Sequence, residues 1–347
     1  MGTLELARVE RAPRAWTRFD SIDLAGAARR VSGVVRRTPL AAVDAGDQRV
    51  ELRAKLENRQ ETGASKARGA WNQIAQLDAA QRAAGVVCAS SGNHGKALAW
   101  AAERAGVRAT IVMPANAYAN KVQACRQHGA EVVLMPTRQE AEREVERRVA
   151  AGSVLVHPYD AARTLEGAGT VGLELAEDWP ALEVVLVPVG GGGLMAGTAL
   201  ALRRTLGERV RIFGVEPEGA PTLTLGLQRG APVELERMTS RVQGLTPLHA
   251  GRINIEIARA TLDGVFTLPD ECIFAAQKRL VALGETVEPA GSAACAVVFE
   301  RGLPAELLAG RGPAQRLRVA AVVSGGNPDP AQIQSVRDEL ARERAAS

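Results

Sequence analysis

The chain has 347 residues, of which 46% are hydrophobic and 24% are charged, and its 43 basic and 39 acidic side chains leave a net charge of +4. This is the composition of an ordinary globular protein, and an aromatic content of 3% argues against a base-stacking nucleic-acid surface. The N-terminus has no apolar signal core and no uncharged apolar run approaches the length of a membrane span, so we expect neither a nucleic-acid partner nor a membrane.

The four cysteines indicate a reducing compartment. Cys88, Cys125, Cys272 and Cys295 are widely spaced, with no C-x-x-C motif and no nearby pair of histidines. Such spacing predicts neither a disulfide framework nor a bound metal. We therefore expect a cytoplasmic protein that acts on a small molecule.

The first stretch of chemical interest is TGASKARGA, residues 62–70, which places Lys66 among small residues. Lys66 is either one more solvated charge or an amine that reacts with a ligand. Small neighbours leave room for a ligand to approach, and partial burial beside a bound ring lowers the pKa of an amine. The reactive interpretation requires ligand-binding loops elsewhere in the chain.

The following segments alternate between short β-rich runs and amphipathic runs. Strands are predicted for GVVCAS, ATIVMP and EVVLMP, and helices for KALAWAAERAG and NKVQACRQHGA between them. The first helix has Leu98, Ala101, Ala102 and Ala105 on one face, and Gly106 is its stop signal. The same alternation returns in VVLVPV, AGTALALRRTL and VRIFGVE, and RVAAVVSGGN supplies a last strand. The sequence therefore predicts an α/β fold.

The stretch SSGNHGKA, residues 90–97, lies between a predicted strand and a predicted helix. Ser90, Ser91, Asn93 and His94 are thereby placed at a helix N-terminus, where a carboxylate is stabilised. An ordinary serine or asparagine helix cap is the alternative interpretation.

The stretch VPVGGGGLMAG, residues 187–197, joins a predicted strand to a predicted helix through four consecutive glycines. Backbone N–H groups free of Cβ atoms, together with a helix N-terminus, favour a bound phosphate over a merely tight turn. A dinucleotide site is the competing interpretation, because Gly191, Gly193 and Ala196 match G-x-G-x-x-A and Glu216 follows about twenty residues later.

The stretch SGGN, residues 324–327, ends the last predicted strand, and its serine hydroxyl is either part of a turn or a partner for a ring nitrogen. A reactive lysine, a phosphate loop and a carboxylate loop together indicate pyridoxal phosphate. In the simplest arrangement Lys66 bonds to the aldehyde and Gly190–Gly193 hold the phosphate.

These motifs resemble those of the fold type II pyridoxal-phosphate enzymes, specifically the threonine/serine dehydratase and serine racemase branch. The resemblance covers nearly the whole chain, from RRTPL through KLENRQETGASKARGA, SSGNHGKALAWAA, KVQACRQHGAEVV, HPYD, VPVGGGGLMAG, GVEPEGA and EPAGSAA to VVSGGN. It implies a tryptophan synthase β-like α/β fold, with two open twisted domains and the cofactor in the cleft. Residues 1–83 and 161–347 would form the large domain and residues 84–160 the smaller one. A homodimer is the implied assembly.

The resemblance also implies how the cofactor is held. Lys66 matches the lysine that bonds to the cofactor aldehyde, Asn93 the residue bonded to the ring hydroxyl, and Ser324 the partner of the pyridine nitrogen. The residues that match the phosphate loop are Gly190, Gly191, Gly192, Gly193 and Leu194.

The substrate roles are implied in the same way. Ser90, Ser91 and His94 match the residues that hold the substrate carboxylate, and Ser91 also matches the serine that acts on the opposite face in racemases. Lys66, once freed by the substrate amine, is the implied general base. The implied reaction is α,β-elimination from L-threonine, L-serine or a related β-hydroxy amino acid, which gives a 2-oxo acid and ammonia. Serine racemase, an NAD-dependent dehydrogenase and a non-catalytic pyridoxal-phosphate-binding protein are the alternatives.

The chain departs from this family at several positions. Ser65 stands where phenylalanine is usual, and Ala168 and Lys96 each replace a common glutamine. The missing aromatic ring is expected either to open space for a bulkier substrate such as phenylserine or to weaken the packing of the cofactor. The two glutamine replacements are expected to alter the substrate pocket. In EPEGAPT, Thr222 occupies a position where some relatives carry a metal-binding carboxylate, so no metal site is expected.

Overall fold

A computed structural model describes residues 4–117 and 119–346 of the chain. The strands of this described part are β1 Glu5–Arg8, β2 Leu40–Val43, β3 Val50–Leu56, β4 Val86–Ala89, β5 Ala109–Pro114, β6 Glu131–Met135, β7 Val154–Leu155, β8 Val184–Pro188, β9 Arg211–Pro217, β10 Gly264–Leu268 and β11 Leu317–Val323.

The α-helices are α1 Leu24–Val31, α2 Lys66–Ile74, α3 Ala79–Ala84, α4 Asn93–Ala105, α5 Ala119–Gln127, α6 Arg138–Ala150, α7 Ala162–Asp178, α8 Gly193–Leu206, α9 Thr222–Arg229, α10 Arg252–Thr261, α11 Asp270–Ala282, α12 Pro289–Phe299, α13 Ala305–Leu308 and α14 Pro330–Ala346. Short 3-10 turns cover Ala15–Phe19, Glu57–Arg59 and Gly207–Arg209. No helix in the described ranges is both long enough and apolar enough to cross a membrane.

The larger sheet has seven strands in the order β1-β10-β9-β8-β11-β3-β2. Its two edge strands pair antiparallel and the inner strands pair parallel. The central strand β8 shows why the apolar run VVLVP forms a buried strand. Val185 and Val187 pack into the core on one face, while Val184 and Leu186 pack into the core on the other. Successive side chains of a strand point to opposite faces, so a strand covered on both sides must be apolar throughout.

The smaller sheet has four parallel strands in the order β6-β5-β4-β7. It lies within residues 84–160, and Val86 and Cys88 of β4 face one apolar cluster while Val87 faces another. The strands predicted from GVVCAS, ATIVMP and EVVLMP are thus confirmed. The division into domains at residues 84 and 160 stays a prediction.

Helices α7 and α8 pack backbone to backbone, and this contact fixes the N-terminus of α8. A Cβ atom on Gly197 would lie 2.3 Å from the carbonyl oxygen of Leu165, and one on Gly172 would lie 2.5 Å from the carbonyl oxygen of Thr198. Such distances exclude any side chain, so glycine is required at both positions. The glycine loop at the start of α8 is therefore held on a rigid pair of helices.

Candidate active site

Lys66 is the first residue of helix α2, at the point where this helix meets the end of strand β11. The N–H group of Ser65 donates to the carbonyl oxygen of Ser324 over 3.0 Å. The Nζ atom of Lys66 donates to the carbonyl oxygen of Pro158 over 2.6 Å. Burial lowers the pKa of the Lys66 amine to about 8. The side chain therefore presents an amine that is far closer to its nucleophilic neutral form at neutral pH than an exposed lysine is.

This lowered pKa predicts how Lys66 reacts in the cofactor-free protein. Because only the neutral amine is nucleophilic, its reductive methylation is expected to reach half its maximal rate near pH 8. Lys278 is a suitable internal control, since its hydrogen bonds to the carboxylates of Glu339 and Glu343 raise its pKa above the ordinary value. Peptide mass spectrometry across a pH series measures both rates. If methylation of Lys66 reached half its maximal rate at a pH as high as that of Lys278, the burial of the Lys66 amine would be contradicted.

A cavity beside Lys66 brings together motifs that are far apart in the sequence. Its walls include Lys66 itself, His94 from the SSGNHGKA loop and Leu194 from the glycine loop. The remaining walls are small or apolar: Ser65, Gly69, Ala70, Pro158, Thr164 and Ala168. Two of the unusual positions, Ser65 and Ala168, therefore line the same cavity as the reactive amine.

The loop before helix α4 is arranged to bind an anion. The Ser90 hydroxyl accepts hydrogen bonds from the N–H groups of Gly92 and Gly95, over 3.3 and 3.1 Å, and so closes the loop. In the described ranges the N–H groups of Ser91, Asn93 and His94 donate to no protein acceptor. Ser91 is exposed, and Asn93 is half-buried. Ser90 therefore acts as a cap, while the remaining N–H groups are available for a carboxylate, whose binding here stays a prediction.

The side chain of His94 is engaged within the protein. It is buried, and its Nε2 atom lies 2.8 Å from the carbonyl oxygen of Val156, which can only accept. Burial lowers the pKa of the ring to about 3, so the ring is neutral and its Nδ1 atom carries no proton. The ring therefore has no proton on Nδ1 to donate to a carboxylate, whereas the backbone N–H group of His94 is available, and the assignment of His94 to the substrate carboxylate stays a prediction.

The glycine loop before helix α8 has the geometry of an anion cradle. The N–H groups of Gly190–Leu194 have no protein acceptor among the described residues. The carbonyl oxygen of Gly191 is held on the opposite side, where it accepts from the N–H group of Gly251 over 3.0 Å and from Asn254 Nδ2 over 2.7 Å. Five consecutive donors at a helix N-terminus match the requirement of a phosphate group.

Tyr159 packs against this loop and was not identified as a site residue from the sequence. A Cβ atom on Gly191 would lie 2.2 Å from the Tyr159 ring, so only glycine allows this contact. The ring also stands edge-on to His157, with a centroid distance of 4.9 Å. Tyr159 is adjacent to Pro158, whose carbonyl oxygen binds Lys66, so the HPYD motif joins the lysine to the glycine loop. The presence of HPYD in the sequence could have indicated this role.

Asn93 is hydrogen-bonded to the segment that follows strand β11, which begins at Ser324. Asn93 Nδ2 donates to the carboxylate of Glu288, and Asn93 Oδ1 accepts from Asn327 Nδ2 over 2.8 Å. A Cβ atom on Gly325 would lie 2.0 Å from the Glu288 carboxylate, which shows how closely these groups approach. The Ser324 hydroxyl makes no hydrogen bond within the described residues. Neither Glu288 nor Asn327 was assigned a role from the sequence.

Lys96 and Glu216 have roles that differ from those expected. Lys96 does not line the cavity beside Lys66, and its Nζ atom donates instead to Asn327 Oδ1 over 3.0 Å. Glu216 accepts from the N–H groups of Leu223 and Thr224, over 2.7 and 3.0 Å, and so caps helix α9. Burial raises the pKa of Glu216 to about 7. Its carboxylate is thus engaged within the protein and is not available to a nucleotide ribose.

The chemistry of these residues fits pyridoxal phosphate. Lys66 would bond to its aldehyde, the free N–H groups of the glycine loop would hold its phosphate, and the unpaired Ser324 hydroxyl would face its ring nitrogen. When bound, the cofactor withdraws electrons from the substrate Cα. The protein supplies the amine, the anion sites and a partly buried setting.

Comparison with known proteins identifies the family. The profile of the pyridoxal-phosphate dependent enzymes matches residues 31–325. The chain is 40% identical to phenylserine dehydratase of Ralstonia pickettii, over 80% of this chain and 83% of that protein. It is 35% identical to L-threonine ammonia-lyase of Thermotoga maritima, over 90% and 77% respectively. The processed form of threonine deaminase isoform 2 from Solanum lycopersicum superposes with a TM-score of 0.86 at 27% identity, over 96% of this chain and 91% of that structure. The chain therefore belongs to the family of pyridoxal-phosphate dependent enzymes, with the fold type II architecture.

Proposed function

We propose that this protein is an ammonia-lyase that converts L-threonine, L-serine or a related β-hydroxy amino acid to a 2-oxo acid and ammonia. The observation that carries the proposal is the shared cavity of Lys66, His94 and Leu194, whose walls combine the amine with residues of the SSGNHGKA loop and of the glycine loop. The carboxylate loop would orient the substrate with its Cα facing Lys66, and the amine, with its lowered pKa, would remove the Cα proton. Ser324 is a neutral partner for the ring nitrogen, which favours elimination over transamination.

The walls of the cavity favour substrates with an apolar β-substituent. Ser65 and Ala168 both line the cavity and are smaller than the usual phenylalanine and glutamine that they replace. No cationic side chain other than Lys66 lines this cavity within the described residues, so a second substrate carboxylate would have no partner. A phenylserine-type substrate is therefore the second candidate, and the named activity of the Ralstonia pickettii relative agrees with it.

A substrate panel separates these candidates. We expect 2-oxo acid release from L-threonine and L-threo-phenylserine, and little from L-threo-3-hydroxyaspartate. In the variant Ser65→Phe, the added ring is expected to lower kcat/KM for phenylserine at least about tenfold while that for serine changes by less than about threefold. The control Ser65→Ala keeps the cavity open and should retain both activities. Activity confined to serine and threonine would contradict the enlarged pocket, and no release from any substrate would contradict the proposed function.

Racemisation is a separate outcome of the same panel. Ser91 matches the serine that acts on the opposite face in racemases, and its side chain is exposed. Chiral chromatography of the serine reaction measures racemisation.

We also propose a cytoplasmic homodimer. The usual assembly of the resembled family supports the homodimer, and four free cysteines, three of them buried, support a reducing compartment. Light scattering that gives the mass of one chain would contradict the dimer.

A further inference from the structure

We propose that Lys96 is a positioning residue for the cofactor: acting through the side chain of Asn327, it fixes the orientation of the carboxamide of Asn93, the residue that would bond to the ring hydroxyl. This inference rests on the proposed function, because it concerns the cofactor that the reaction needs. It assigns a role to a lysine at a position where the resembled family commonly has glutamine.

Three side chains form a continuous chain of hydrogen bonds. Lys96 Nζ donates to Asn327 Oδ1 over 3.0 Å, and Asn327 Nδ2 donates to Asn93 Oδ1 over 2.8 Å. Lys96 follows Asn93 by three residues on helix α4, so both side chains project from the same face of the helix. Asn327 lies beyond strand β11 and is thus held between them.

The direction of this chain is set by groups that cannot exchange roles. An ammonium group only donates, so it requires the oxygen end of the Asn327 carboxamide. The other end of Asn327 donates to the carbonyl oxygen of Thr62 over 3.0 Å, which can only accept. Asn93 must therefore offer its oxygen to Asn327 and its NH2 group to the opposite side, where it meets the Glu288 carboxylate. If the Asn93 carboxamide were turned round, its NH2 group would face the NH2 group of Asn327. Its oxygen would then face the Glu288 carboxylate.

A second lysine provides a matched comparison. Lys121 Nζ donates to the backbone carbonyl oxygen of Asn327 over 2.6 Å, and this contact does not hold the side-chain amide. Burial and the nearby Lys121 lower the pKa of Lys96, whereas burial raises the pKa of Glu288. Removing either lysine removes one positive charge from the surroundings of Glu288. Only the loss of Lys96 also removes the donor that orients Asn327.

The test compares pyridoxal phosphate dissociation constants, measured by equilibrium dialysis of the holoproteins. Lys96→Met is expected to weaken binding about tenfold, because a partly buried hydrogen bond from a charged donor is lost. Lys96→Gln should restore binding to within about threefold, since its amide can donate to Asn327 Oδ1. Lys121→Met should stay within about threefold of the unmodified protein. Equal losses in Lys96→Met and Lys121→Met would indicate a charge effect and would overturn the positioning role.

A second comparison tests whether Lys96 acts through Asn93. In an Asn93→Ala background, Lys96→Met is expected to cause no further loss of binding, because the group that it positions is already absent. A further tenfold loss in this background would overturn the inference. Unchanged binding in Lys96→Met would overturn it as well while leaving the proposed function intact. A parent protein that binds no pyridoxal phosphate would instead reject the proposed function itself.

Discussion

Replacing Lys66 with alanine is expected to lower 2-oxo acid release by at least about 10³-fold and to abolish the visible absorption band of the bound cofactor. A general base contributes roughly 10² to 10⁴ in rate, and the same amine is also the site of cofactor attachment. No other lysine lines the cavity in the described ranges, so no neighbouring amine can substitute for it. Activity with saturating pyridoxal phosphate and the absorption spectrum are the two measurements.

Lys278→Ala is the matched control, because this lysine is paired with Glu339 and Glu343 away from the cavity. It should retain both activity and colour. The fold of Lys66→Ala should survive, since the variant removes an amine whose lowered pKa shows that its charged form is disfavoured by burial. Retention of more than a tenth of the activity in correctly folded Lys66→Ala would contradict the role of this residue.

The elements and the loops around Lys66 follow directly from local sequence patterns. The run VVLVP is apolar at every position and becomes the doubly covered strand β8. In a parallel sheet the loops after successive strands lie at one edge, so the loops that follow β8 and β11 could be expected to meet. The glycine loop and Ser324 confirm this placement, since each follows the carboxyl end of a strand in the same sheet.

The unpredicted parts of the site depend on contacts between distant residues. The spacing of SSGNHGKA places His94 at a helix N-terminus, but its ring turns inward because the Val156 carbonyl oxygen accepts its proton. Lys96 differs from a common glutamine, yet only the fold shows that Asn327, 231 residues later, is its partner. Tyr159 fills the space left by Gly191, and although HPYD marks it as a residue of interest, the contact itself appears only in the fold. Each case is a side chain whose direction is set by tertiary packing.

Arg68, two residues after Lys66, is the centre of a buried ion network that anchors helix α2. Its guanidinium is fully buried and bonds to both oxygens of Glu57 over 2.8 Å. It also bonds to both oxygens of Glu174 in helix α7, over 2.7 and 2.9 Å. Lys55 Nζ reaches the same Glu174 carboxylate over 2.6 Å. The network therefore joins strand β3, the Lys66 helix and helix α7, which also packs on the glycine-loop helix.

Replacing Arg68 with methionine is expected to lower the free energy of unfolding by about 3–5 kcal/mol at pH 7, because it leaves Glu57 as a buried charge without its guanidinium partner. Burial alone would raise the pKa of Glu57, but the ion pair with Arg68 holds it below the ordinary value of 4.5. In the unmodified protein this contribution is present above pH 4.5 and is lost as the pH falls below it. In the variant, protonation relieves the buried charge as the pH falls, so the difference in stability between the two proteins should narrow toward pH 4.5.

Denaturant unfolding at pH 7 and at pH 5 measures both effects. The control is Arg37→Met, which breaks ion pairs with Glu177 and Asp178 on the surface and should cost less than about 1 kcal/mol at either pH. A loss below 1 kcal/mol in Arg68→Met, or a difference that widens at pH 5, would contradict the buried network. The network fixes the helix that begins at Lys66, so Arg68→Met should also weaken cofactor binding. Arg37→Met, which removes a charge without touching this helix, should leave cofactor binding unchanged.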